Sequence, residues 1–233
     1  MNADREAEGR RRQAVEAARY LRRDLPVFAR DERFALAVGR ALALYWDGYY
    51  TVENAEEMSE NEALRFFDWF VFDYQHEEEE RLLDVYRRER WEDLSTAQQA
   101  VLEQWSEAAP ASAYTLTDYA GQTLYLEDYL TGLKASVYEP AGRSEAEVGD
   151  LILARLLPVD DHLELSGGAA FLPQDEIADL PQKLDAAREA YLEDNPQASA
   201  SDFLRRYNHL FIHHALAQAE AKGRAPVARL REE

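Results

Sequence analysis

Cysteine is absent from the 233 residues, which excludes disulfides, thiolate catalysis and Cys-ligated zinc. Long apolar runs are missing as well. No stretch approaches the roughly 18 residues of a membrane span. The charged start, Met1-Asn2-Ala3-Asp4-Arg5-Glu6, has no apolar run behind it, so no signal peptide is expected and the default location is cytoplasmic. Positive charge is scarce: 26 Lys and Arg stand against 46 Asp and Glu, a formal net charge of −20. Such a charge repels phosphate backbones and disfavours nucleic acid as a partner. The motifs of common catalysts are lacking too. There is no Gly-x-Ser-x-Gly, no phosphate loop, no Gly-x-Gly-x-x-Gly and no Glu-x-x-His.

What the chain has is aromatic and concentrated. From Leu64 to Tyr74 it reads Leu-Arg-Phe-Phe-Asp-Trp-Phe-Val-Phe-Asp-Tyr. On a helix these rings point in nearly every direction, and a helix apolar all round is normally buried. Asp68 and Asp73 sit among them, and each must find a donor or solvent. One reading is an aromatic groove with an acidic anchor, formed by Asp68, Trp69 and Asp73, for a partner peptide or helix. The other is a core helix whose aspartates cap a loop or pair with an arginine such as Arg155.

Helical spacing extends through much of the rest. Residues 1–30 carry a formal charge of +3 and predict a basic, mobile N-terminal helix that ends at Pro26. Residues 31–111 predict four helices: one behind Asp31 with a stop at Gly48, the aromatic helix behind the capping box Ser59…Glu62, one running to Arg90, and one behind the capping box Ser95…Gln98. Glu77 to Glu80 form a run of four carboxylates, read as a solvated turn. At about Ser112 the period falls to two. Short segments separated by Gly121, Gly132, Asp160-Asp161 and Gly167-Gly168 predict five or six strands over 112–173, an antiparallel meander closing into a small β-barrel or curved sheet. Residues 174–222 predict two C-terminal helices packing back on the first half, the last one capped by Ser201 and running to Lys222. Residues 223–233 read as a disordered tail. The fold class is therefore α+β.

The titratable candidates are few. His209 and His213, four apart, share a helix face and could chelate a metal, but the spacing supplies no third ligand, and they read as a surface pair. His214 falls on the apolar side and reads as a hydrogen-bonded core histidine. His76, three residues after Asp73 and four before Glu80, offers half of a carboxylate–histidine metal site. No catalytic residue is singled out, and no cofactor is expected.

The segments Phe67–Tyr74, Tyr125–Gly132, Gly149–Pro158 and Leu165–Gly168, in that order, resemble a poorly characterised bacterial family. Some of its members carry a C-terminal SEC-C motif, a small zinc-binding element. The resemblance covers about residues 59–173. It implies a cytoplasmic bacterial protein of helices followed by a small β unit, with no established activity. Without cysteine this chain cannot build the SEC-C zinc site. The functional expectation is a non-enzymatic interaction or adaptor protein with an unidentified protein partner and unspecified oligomeric state. The alternatives are a metal-dependent or carboxylate-based enzyme, and a nucleic-acid-associated protein using Arg10–Arg12 and Arg19–Arg23.

Overall fold

A computed structural model describes residues 2–76, 80–144 and 146–223, with the side chains of residues 2–7 outside the description. Most of the acidic run (77–79) and the tail beyond Gly223 lie outside the described residues.

The chain opens with α1 (Asn2–Ala29), which runs through Pro26. The stop expected at that proline is not taken. Leu21, Leu25, Phe28 and Ala29 are all buried, so packing of the apolar side carries the last turn past the hydrogen bond that proline removes. The Asp31 side chain accepts from the Arg33 N–H and starts a short 3₁₀ turn that leads directly into α2 (Ala35–Tyr45). The chain leaves α2 through Gly48, at φ 76°, whose N–H reaches the Ala43 carbonyl.

Both capping boxes form. Ser59 and Glu62 exchange hydrogen bonds at the start of α3 (Glu60–Phe72), and Ser95 and Gln98 do so at α5 (Thr96–Ser106). Between them lies α4 (Leu82–Arg90). Helix α3 is the centre of the helical half: Phe66, Phe67, Trp69, Phe70, Val71 and Phe72 are all buried. Its rings meet Tyr45 of α2 and, beyond its C-terminus, Tyr74 and His76.

The β unit has seven strands among the described residues: β1 (Ser112–Ala120), β2 (Thr123–Asp128), β3 (Lys134–Tyr138), β4 (Leu151–Ala154), β5 (Leu156–Val159), β6 (His162–Leu165) and β7 (Ala170–Leu172), in the order β5-β6-β3-β2-β1-β4-β7. The antiparallel meander holds for β1, β2 and β3. Strand β6, however, pairs parallel to β3. Strands β4 and β5 are separated only by Arg155 and keep one alternation of faces. One end of this bent segment pairs with β1 and the other with β6, so the row of strands curls back on itself. Side chains on its inner face (Tyr114, Leu116, Leu124, Leu126, Val137, Ile152, Ala154) form a separate small core. The opposite face of the bent segment (Leu151, Leu153, Leu157, Val159) joins the helical core. A side-chain period of two thus feeds two cores from one strand, and Arg155, between Leu153 and Leu157 in that alternation, points into the helices.

After the sheet come α6 (Leu180–Asp194), α7 (Ala200–Tyr207) and α8 (His209–Ala221). The single last helix expected behind Ser201 is two helices. Ser199 is the cap of α7, in a reciprocal pair with Asp202, and the break falls at Asn208. The amide of Asn208 is engaged by side chains and backbone of other elements, which local helical periodicity does not register. Helix α8 packs back on α2. No helix among the described residues is long and apolar enough to cross a membrane.

Candidate functional site

The joint between helices and sheet is a polar network in an apolar setting. Asp68 and Trp69 come from α3, and Asp73 caps its C-terminus. Arg155 stands at the bend between β4 and β5, Ser166 in the turn after β6, and Asn208 at the α7–α8 break.

The Arg155 guanidinium is 1 % exposed. Its Nη2 donates to Asp73 Oδ2 at 2.6 Å, Nη1 to Asp73 Oδ1 at 3.3 Å and to the Ala109 carbonyl at 3.0 Å, and Nε to Asp68 Oδ2 at 3.1 Å. It lies over the Phe72 ring at 4.6 Å. Burial alone would lower its pKa, but the Asp73 and Asp68 charges outweigh burial and raise it, so the guanidinium stays charged.

Asp73 is saturated. Besides Arg155 it accepts from Asn208 Nδ2 at 2.6 Å and the Ala111 N–H at 3.3 Å, and Arg205 Nη1 lies 3.5 Å away. Asn208 in turn accepts from the Trp69 indole N–H at 2.8 Å. Asp68 is held by Arg155 and by the Ser166 hydroxyl, which donates to Oδ1. Burial pushes the Asp68 pKa up, against the pull of Arg155 and Ser166.

The structure therefore brings Asp68, Trp69 and Asp73 into one network, but on two sides of α3. Trp69 and Asp73 face inward and have their hydrogen-bonding capacity taken. Asp68 borders a cleft of about 390 Å³. One wall is α3, with Leu64, Phe67, Val71 and Phe72. Arg22, Leu25 and Pro26 of α1 and Trp105 of α5 form another. Tyr138, Glu139, Pro140, Leu157 and the stretch Glu164–Gly167 complete it. The Ser166-Gly167-Gly168 turn sits hard against α3: a Cβ on Gly168 would lie 2.3 Å from the Asn61 carbonyl oxygen. Arg65 holds the turn there by donating from Nε to the Gly168 carbonyl at 2.7 Å.

The histidines do not gather into one site, although the His209 and His213 rings are neighbours with centroids 5.0 Å apart. His209 is buried at 6 % exposure, not on the surface as its helix face suggested. The rings of Trp69, Tyr207 and His213 surround it, and burial first, then His213, lowers its pKa to about 4. His213 donates to the Leu44 carbonyl at 2.7 Å and His214 to the Glu176 carbonyl at 2.7 Å. The His214 contact is the core hydrogen bond expected of it. His76 packs against Phe34, Phe70 and Tyr74, while of the two carboxylates spaced to it Asp73 is committed to Arg155 and Glu80 pairs with Arg88. No group of three or more His, Asp or Glu among the described residues is arranged to hold a metal ion.

Sequence reasoning missed Asn208, Ser166 and Glu164, and placed Arg22 in a basic run for phosphates where it pairs with Glu164. An asparagine inside a helical period was the available signal for the first. Ser166 and Glu164 carry none, because only the curl of the sheet brings them to α3.

A family model described as a family of unknown function (DUF7986) matches residues 49–208, 160 of the 233, and the chain belongs to that family. The match spans the whole network and all of the cleft except its α1 wall. No curated protein and no solved structure matches the chain.

Proposed function

Taking this membership as the premise, we propose that the chain is a non-enzymatic interaction protein whose binding site is the 390 Å³ cleft between α1, α3 and the sheet. The bacterial, cytoplasmic setting implied by the sequence resemblance is part of this reading. The observation that carries it is the composition of the cleft. Pockets that take ligands or partner side chains are concave, mostly apolar, some 300–1,000 Å³ in size, and carry a few placed polar groups. Here Leu25, Leu64, Phe67, Val71, Trp105 and Leu157 supply the walls, and Asp68 and Ser166 the polar end.

The same geometry argues against Asp73 as a carboxylate catalyst. A general acid or base needs a free proton-transfer site within reach of substrate. Asp73 has none, since Arg155 and Asn208 take its oxygens.

Calorimetric titration with short apolar probes such as hexanol tests this reading, using wild type and Leu64→Trp. Leu64 is 37 % exposed at the cleft, and a tryptophan there blocks entry. Wild type should bind and the variant should not. Equal binding by both, or turnover of a substrate that Asp68→Asn abolishes, would overturn the proposal.

A further inference from the structure

The polar atoms of the cleft select the kind of group it takes. Arg22 is the one arginine in its lining, yet it offers nothing to an incoming anion. Its Nη1 is spent on Glu164 Oε2 at 2.6 Å. Its Nε and Nη2 are buried without hydrogen-bond partners, beside the Trp105 ring 5.8 Å from the guanidinium carbon. An anion could reach them only by displacing the side chain from that ring.

The acceptors are better placed. Asp68, Glu139, Glu164 and Ser166 all line the cleft; Glu164 meets Arg22 through Oε2 and His162 Nε2 through Oε1 at 2.9 Å, one partner per oxygen, and each oxygen keeps a further lone pair. Asp68 uses each oxygen once, Oδ1 for Ser166 and Oδ2 for Arg155, which leaves lone pairs on both. Against Arg22 inside the cleft and Arg155 behind it stand three carboxylates, and of the lining rings Phe67, Phe72 and Trp105 already hold the guanidinium groups of Arg30, Arg155 and Arg22 against them. The chain's charge of −20 adds a long-range field of the same sign.

We infer that the cleft takes a cation on an apolar stem: an alkylammonium group, as in a lysine side chain of a partner or a free amphipathic amine. The stem lies along Leu64, Phe67 and Val71, and the ammonium donates to Asp68 and Glu164. This rests on the cleft being a binding site and names the chemistry of its occupant.

The test compares hexylamine, hexanol and hexanoate, equal in length and different in head group, by titration at low salt against wild type, Leu64→Trp and Glu164→Gln. Glu164→Gln keeps an acceptor for Arg22 and removes one charge. Hexylamine should bind wild type about tenfold more tightly than hexanol, lose most of that advantage in Glu164→Gln and in high salt, and fail with Leu64→Trp. Hexanoate should bind weakest. If hexanol or hexanoate binds as tightly as hexylamine, and Leu64→Trp still blocks it, the cation assignment is wrong while the cleft remains a binding site. If none of the three binds wild type, both fall. A lysine-containing peptide and its norleucine counterpart then separate the sources: preference for the lysine peptide over hexylamine points to a partner side chain, and the reverse to a free amine.

Discussion

Arg155 and Asp73, 82 residues apart, meet through two parallel hydrogen bonds, the shorter 2.6 Å long, with both side chains at or below 1 % exposure. This pair joins the bend of the sheet to the end of the central aromatic helix. A buried ion pair is not by itself strong evidence of net stability, but breaking one by removing a single partner is costly.

Replacing Arg155 by Met should therefore destabilise the protein by about 3–5 kcal/mol, since it leaves Asp73 and Asp68 buried without their cation. Urea denaturation would show the loss in the midpoint. Arg155→Lys should recover part of it, because an ammonium restores the charge but not the paired geometry. A change of less than about 1 kcal/mol in Arg155→Met would show that the joint is held by apolar packing alone.

Asn208 donates to Asp73 and accepts from Trp69. Asn208→Leu suits the helical period but leaves the Trp69 N–H without its acceptor and takes one donor from Asp73, and should cost about 2–3 kcal/mol. Asn208→Asp should cost more, because it sets a second carboxylate against Asp73. Melting temperatures ranked wild type, then Leu, then Asp would bear this out.

Gly168→Ala should destabilise by about 1–3 kcal/mol. The added Cβ would stand 2.3 Å from a backbone oxygen of α3, which cannot swing aside as a side-chain tip can. The turn must retreat and weaken the Arg65 contact. An unchanged melting temperature would mean that this approach has slack.

His209 makes the pH dependence specific. Its pKa falls from 6.5 to about 4 on burial. With the folded value depressed, the unfolded chain takes up the proton first. Stability from this residue is complete above about pH 6.5, declines as the pH falls towards 4, and changes no further below that. The span is on the order of 3 kcal/mol. His209→Phe, which keeps a ring between Trp69 and Tyr207, should flatten the stability profile between pH 6.5 and 4 relative to wild type. Parallel profiles would assign the slope to other groups.

The legible part of this molecule was local. Both capping boxes, the burial of Phe66 to Phe72, and six of the seven strand positions followed from spacings within a turn or a hairpin. The division of the 151–159 segment into β4 and β5 did not, since its nine residues keep one unbroken alternation. The parallel pairing of β6 with β3 was hidden for a related reason: hairpin turns predict antiparallel neighbours and say nothing about a strand that returns after a bend. In the site, the two aspartates announced themselves by standing among rings, and Arg155 by interrupting an apolar strand. Ser166 and Glu164 had no such contrast with their surroundings.

By itself the sequence determined the α+β class, the acidic surface, the absence of thiol chemistry and the need for buried donors near Asp68 and Asp73. Those are consequences of composition, period and the cost of burying charge. Only the tertiary structure decided which donors answered, that Asp73 would be saturated while Asp68 kept spare lone pairs beside a cleft, and that His209 would be enclosed. For the two aspartates, those outcomes depend on contacts between residues 82 to 139 positions apart, and such contacts are set by how the sheet and the C-terminal helices pack onto α3, not by anything within a turn of either partner.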